Sequence, residues 1–281
     1  MNVLKLAARV KKCIKPLYNG GKYLRYNIEG LGASQGIYLS ENEKRLAAYK
    51  NKHKGERCFL IGTGPSLKAS DLELIKNEYS IGCNMIYKIF EETSWRPTYH
   101  CVTDRNYGLQ LAEEISKQIQ VPFFTPKSTY VRMNERPKYT IYVNDVYTEG
   151  AYRVKGDMLS YCNVKATVMG FMLELAMYMG FSEIYLLGVD CTSSFQNTGH
   201  FTKNYIPEKL KQDNVKRLQK GLKGKNISQE EAACKSINRS IEVYEKIELY
   251  AQKKGLSKIY NATRGGALEV FERTSLEEVL R

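Results

Sequence analysis

The stretch "RCFLIGTGPSLKASDLELI", residues 57–75, decides the fold class. A short apolar run, Cys58 to Ile61, stops against Gly62-Thr63-Gly64-Pro65-Ser66, and a helical pattern follows from Asp71. A strand that ends on a glycine turn and feeds a helix is the building unit of a parallel sheet with helical crossovers. The same texture continues outward. The runs "YSIGCN", "TYHCVT", "VPFFT", "YTIYVND", "EIYLLGVD" and "KIYNAT" alternate with helical patterns at 106–118 and 167–179. Short apolar runs separated by amphipathic segments are the signature of alternating strands and helices.

The expected architecture is therefore α/β: a Rossmann-like, mostly parallel sheet flanked by helices, in one domain over residues 51–281. Residues 1–50 read as a basic helical lead-in, with a polar helix near Glu41 to Lys52. A lysine-rich stretch at about 192–228 interrupts the pattern and reads as a lid-like insertion. A long helix is expected from about Ser228 to Lys254.

Composition bounds the function. The 281 residues are 43% hydrophobic and 26% charged, ordinary for a globular chain. The formal net charge of +13 favours anionic partners: phosphorylated metabolites, anionic lipid or nucleic acid. No zinc-finger or RNA-recognition pattern accompanies it, so nucleic acid is set aside. Seven cysteines, an odd number without a C-x-x-C pair, read as reduced thiols of a cytoplasmic protein. Three histidines without ligand spacing give no metal site. No run reaches the ~20 apolar residues of a membrane span. Near the N-terminus, Val3, Ala7, Val10, Ile14 and Leu17 make one helical face among Lys5, Arg9, Lys11, Lys12 and Lys15. Such a face suits peripheral attachment to an anionic membrane or packing against the domain or a second subunit.

Ligands of open parallel sheets bind at the carboxyl ends of the strands. Those ends here carry Gly62 to Ser66, Asn84, Asp104-Arg105, Asp190 and Asn261-Ala262-Thr263, with Thr167 opening a helix. Gly62 and Gly64 are expected to let a ligand approach bare backbone. The N–H groups of the turn and the helix start favour a phosphate. The turn is neither a Walker loop nor G-x-G-x-x-G. His200, in a polar glycine-flanked loop, is the histidine best placed to act as a base; His53 lies in a lysine-rich linker and His100 within a strand.

Taken together, "FLIGTGPSL", "IGCN", "TD", "EIYLLGVD", "GHF" and "IYNATRGGALEVF" resemble the MptE-like 6-hydroxymethylpterin pyrophosphokinase family, which includes the motility-accessory-factor glycosyltransferases. The opening is also similar to the small bacterial CMP-sialic-acid sialyltransferases. The resemblance spans about Arg57 to Phe271. It implies a nucleotide-phosphate site at Gly62, Thr63, Gly64, Pro65 and Ser66, extended by Asn84, Asp104 and Thr167, to which the strand-end reading adds Arg105, Asn261 and Thr263 as donor-binding residues. It implies His200 as general base; Asp190, from its strand-end position, reads either as a catalytic orienting residue or as the cap of the next turn. The tyrosines that hold the leaving phosphate in the sialyltransferases have no match after Asp190, which leaves Tyr205, Lys203 or Ser193 for that role.

The implied reaction is inverting transfer of a sugar, CMP-linked and such as a nonulosonic acid, onto a surface polysaccharide or glycoconjugate, the acceptor glycan free or lipid-linked. No cofactor is required by it. Two alternatives stand beside it. One is pyrophosphoryl transfer from ATP to a pterin, with Mg2+ held by Asp104 and Asp190. The other is a non-catalytic nucleotide-binding protein of envelope assembly.

Overall fold

The computed structural model describes residues 20–281 except 147–151, 165–166, 193–198, 203 and 223–227. The apolar face expected within residues 1–17 lies outside the described residues, as do Lys203 and Ser193. Eight strands form one parallel sheet: β1 (Arg57–Ile61), β2 (Ser80–Cys83), β3 (Tyr99–Cys101), β4 (Phe123–Pro126), β5 (Thr140–Val143), β8 (Glu183–Leu187), β9 (Lys258–Asn261) and β10 (Glu272–Arg273). Their spatial order is β10-β9-β8-β1-β2-β3-β4-β5. A separate parallel pair joins β6 (Asp145–Val146) to β7 (Cys162–Asn163).

The sheet is buried on both faces, which is why its strands read as near-continuous apolar runs rather than alternating ones. Along β1, Cys58 and Leu60 enter one core with Met172, Leu175 and Ile247. Phe59 and Ile61 enter the other, with Leu72, Ile115 and Trp95. The first core is covered by α7 (Val168–Met179) and α9 (Gln229–Lys254). The second lies under α3 (Ala69–Leu74) and α5 (Ala112–Gln118). The helix expected at 106–118 is two short ones, α4 (Arg105–Gln110) and α5, separated at Leu111.

The lead-in is part of the packed body over its described portion. Helix α1 (residues 20–34) buries Tyr26 and Ala33, and α2 (Glu41–Ala47) buries Leu46. Ser40 caps α2, and Asn42 binds both the N–H and the C=O of Tyr142 on β5. A single turn, α6 (Lys127–Tyr130), follows β4. The insertion is helical in α8 (Glu208–Leu222), and α9 begins one residue after its capping serine, Ser228. The chain closes with α10 (Leu276–Val279).

Candidate functional site

Strands β1 and β8 are neighbours, but the chain leaves them for opposite halves of the sheet. That divergence opens a crevice at their carboxyl ends. The two turns that border it interlock. Gly62 N–H donates to the Leu187 carbonyl at 2.8 Å, and Gly64 N–H to the Gly188 carbonyl at 2.9 Å. A Cβ on Gly62 would stand 2.3 Å from the Gly188 oxygen, and one on Gly64 would stand 1.8 Å from an Asp190 carboxylate oxygen. The glycines are therefore required by the β8 turn that presses on them, rather than by clearance for a ligand, as the sequence led us to expect. A side chain at Gly64 cannot leave this fold intact. Asp190 completes the clasp: Ser66 donates to it through its N–H at 3.2 Å and its hydroxyl at 2.9 Å. Burial holds the Asp190 carboxyl above the usual aspartate range, against those two bonds.

Two adjoining chambers lie along the carboxyl edge. The smaller, about 330 Å³, is bounded by the Gly62–Gly64 and Gly188–Thr192 turns, His200 and Tyr244. The larger, about 930 Å³, extends over β2, β3 and β4 and takes in Asn84, Asp104, Arg105, Ser128 and Arg132. Thr63, Thr167 and Val168 line both and mark the junction. Thr167 is also the N-cap of α7, accepting from the Met169 N–H at 3.2 Å. The positive end of that twelve-residue helix thus opens at the junction.

His200 is held from three sides. Its Nδ1 lies 3.2 Å from the Thr63 carbonyl and 3.1 Å from the Thr63 hydroxyl. A carbonyl only accepts, so the bond to it forms in the tautomer that carries the proton on Nδ1, which leaves the lone pair on Nε2. The ring stacks on Tyr205 at 4.0 Å between centroids, and the next N–H, of Phe201, donates to the same Thr63 carbonyl at 3.0 Å. Burial lowers the imidazole pKa from its ordinary value, so the ring is neutral at neutral pH. A neutral, oriented imidazole in a polar chamber can take a proton from a hydroxyl.

The other expected site residues divide. Asn84 lines the large chamber with its backbone at φ +51° and its buried Oδ1 unpaired. Asp104 caps α4 through the N–H groups of Asn106 and Tyr107, and Arg105 stands 4.0 Å from Asp145. Both line the same chamber. Tyr205 is fully buried, its hydroxyl accepting from the Met85 N–H at 3.1 Å, so it supports His200 from beneath. Pro65 and Ser66 border neither chamber. Asn261 and Thr263 are also turned away from them. Asn261 bonds the Leu268 carbonyl and the Thr263 N–H, while the Thr263 hydroxyl accepts from the Val189 N–H. Their polar atoms tie strand ends together.

Three participants are new to the structure. Ser128 lines the large chamber with a buried hydroxyl that has no partner, and Arg132 lies beside it. The strand-end rule applied to "VPFFT" points at Ser128, two residues past β4. His100 is fully buried on β3, with burial lowering its pKa to about 3. Its Nε2–H donates to the Asn84 carbonyl at 3.0 Å and so props the unusual backbone there. Nothing in the spacing of the sequence singles out that bond.

A doubly wound parallel sheet with a polar, two-chambered crevice at its switch point makes this a Rossmann-like α/β protein. The chain belongs to the MptE-like family: the description "6-hydroxymethylpterin diphosphokinase MptE-like" matches residues 37–195, more than half of its length. Among solved structures it is similar to the MAf glycosyltransferase from Magnetospirillum magneticum AMB-1, at 15% identity and a TM-score of 0.47. That likeness covers 83% of this chain but only 37% of the other, so the chain spans little more than a third of that structure. No functionally curated protein matches it.

Proposed function

We propose that the protein is a glycosyltransferase that moves a sugar from a nucleotide donor, CMP-linked, to a hydroxyl of a glycan acceptor, with His200 as general base. The observation that carries this reading is the imidazole of His200, held by Thr63 and Tyr205 beside a chamber large enough for a nucleotide-sugar. The donor lies in the large chamber, its phosphate toward Asn84 and the amino end of α7. The acceptor enters the small chamber. Its hydroxyl gives its proton to Nε2 as its oxygen bonds the anomeric carbon. The bond from that carbon to the phosphate oxygen breaks on the opposite face, and the nucleotide leaves with the electron pair. The Thr63 carbonyl steadies the imidazolium that forms.

The rival transfer of diphosphate to a pterin needs a divalent cation between carboxylates. The two candidates do not make such a pair. Both Asp190 oxygens face Ser66, one Asp104 oxygen caps α4, and the two residues line different chambers.

A thermal-shift screen with CMP, UDP, GDP and ATP, with Mg2+ or EDTA, tests the donor class. A selective rise with CMP that EDTA does not remove is expected, and a rise with ATP and Mg2+ alone refutes the reading. His200→Ala should then lose ~10²–10⁴-fold in transfer rate and keep its CMP shift. The wild-type rate should fall only below the ordinary histidine value of ~6.5, because burial lowers the pKa. Unchanged turnover and pH profile in the variant would remove His200 from the reaction.

A further inference from the structure

We infer that the outer face of α1 seats the protein on an anionic membrane surface, beside the wall of the large chamber. Leu24, Ile28 and Leu31 are 64%, 61% and 66% exposed, at spacings that put them on one helical stripe. Ile37 and Leu39, 64% and 70% exposed, follow directly after the helix. Single exposed aliphatics are ordinary, whereas a contiguous group of them marks an interaction surface. The helix cannot roll to hide the stripe. Tyr26 and Ala33 are buried on its other side, and a Cβ on Gly30 would stand 2.3 Å from the Ser160 hydroxyl.

Charge selects the occupant. In the sequence Lys5, Arg9, Lys11, Lys12 and Lys15 lead into α1 with no acid among them, and the first acid of the chain, Glu29, is paired with Arg25. A second copy docked on this face would bring two such cationic stretches together. An anionic lipid surface attracts them. Val3, Ala7, Val10, Ile14 and Leu17 repeat in sequence the three- and four-residue steps of Leu24, Ile28 and Leu31.

The face is coupled to the site by two hydrogen bonds. Lys22 Nζ donates to the Asp145 carbonyl at 2.9 Å, and Asp145 Oδ1 accepts from the N–H of Ser128 at 2.7 Å. Ser128 is a wall of the large chamber. On the proposed glycosyl-transfer reading, this contact brings the site to acceptors anchored in lipid. The membrane contact itself does not depend on that reading.

Co-sedimentation of the full chain with vesicles tests it, using phosphatidylcholine alone or mixed with phosphatidylglycerol. Wild type should sediment with the anionic vesicles, less so in high salt, and stay in solution with the neutral ones. The variant carrying Leu24→Ser, Ile28→Ser and Leu31→Ser should lose at least tenfold in vesicle affinity while keeping its melting temperature and its response to CMP. Equal binding by the variant, or no binding by wild type, overturns the proposal. So does a wild-type dimer in size-exclusion chromatography that the variant abolishes without any vesicle binding, since a second copy then covers the stripe. A missing CMP response in both proteins, with vesicle binding intact, would count against the catalytic reading alone.

Discussion

Asn84 sits at φ +51°, a left-handed conformation that costs a residue with a Cβ on the order of 1 kcal/mol or more. The His100 bond to its carbonyl and its own N–H bond to the Cys101 carbonyl hold it there. Its side-chain oxygen is meanwhile buried without a partner against the large chamber. Strain and an unpaired acceptor at one chamber-wall residue single out Asn84 as the donor contact to test. Two substitutions separate the effects. Asn84→Gly should keep or slightly raise the melting temperature, because glycine adopts positive φ freely. Asn84→Ala should lower it by a few degrees. Both should weaken CMP binding by roughly tenfold, the scale of one lost hydrogen bond. Full affinity in either variant would detach Asn84 from the donor.

At the scale of elements, α7 carries an unusual feature. It is buried on nearly all sides, and one of its buried residues is Glu174. Tyr152 donates its hydroxyl to that carboxyl, and the Lys155 N–H lies 3.3 Å from its other oxygen. Burial outweighs these bonds and raises the Glu174 pKa to about 7. The folded pKa lies above the unfolded one, so the folded state binds the proton more tightly. Its contribution to stability is full below the unfolded value of ~4.3 and is lost as pH rises through about 7. Wild type should therefore lose melting temperature between pH 5 and pH 8 relative to Glu174→Gln. Parallel pH curves for the two proteins would show that the carboxyl does not titrate in that window. The element itself was readable from its apolar spacing over 167–179, and Gly180 ends it at φ +87°. The acid inside it was not, because periodicity reports which face is buried and says nothing of a partner arriving from Tyr152.

For the whole molecule, a formal charge of +13 sets a long-range field toward anionic ligands. Association with a CMP-sugar should slow as salt rises from ~0.01 M to ~0.15 M, where the screening length falls from ~30 Å to ~8 Å. Stopped-flow association rates check this. A salt-independent rate constant would mean that the charge lies away from the crevice. Among the described residues no helix is long and apolar enough to cross a membrane.

The sequence by itself determined the strands at β1 to β5, β8 and β9, the helix starts near Thr167 and Ser228, the glycine turn after β1, and the strand-end positions of Asn84 and Asp104. These are local properties: apolar period, turn chemistry and capping act within a few residues. Only the tertiary structure decided what each strand-end residue does. Gly64 and Ser66 face Asp190 from 124 to 126 positions away in the chain, and that contact turns a presumed phosphate turn into a clasp. Asn261 and Thr263 end a strand as Asn84 does, yet their neighbours across the sheet take up their hydrogen bonds. Ser128 and Asn84 have no such neighbours and keep unpaired atoms at the chamber wall. A strand end looks the same in sequence whether or not another backbone fills it. Which polar groups remain for a ligand depends on how β1, β8 and the segments after them close on one another, and that is a non-local packing outcome.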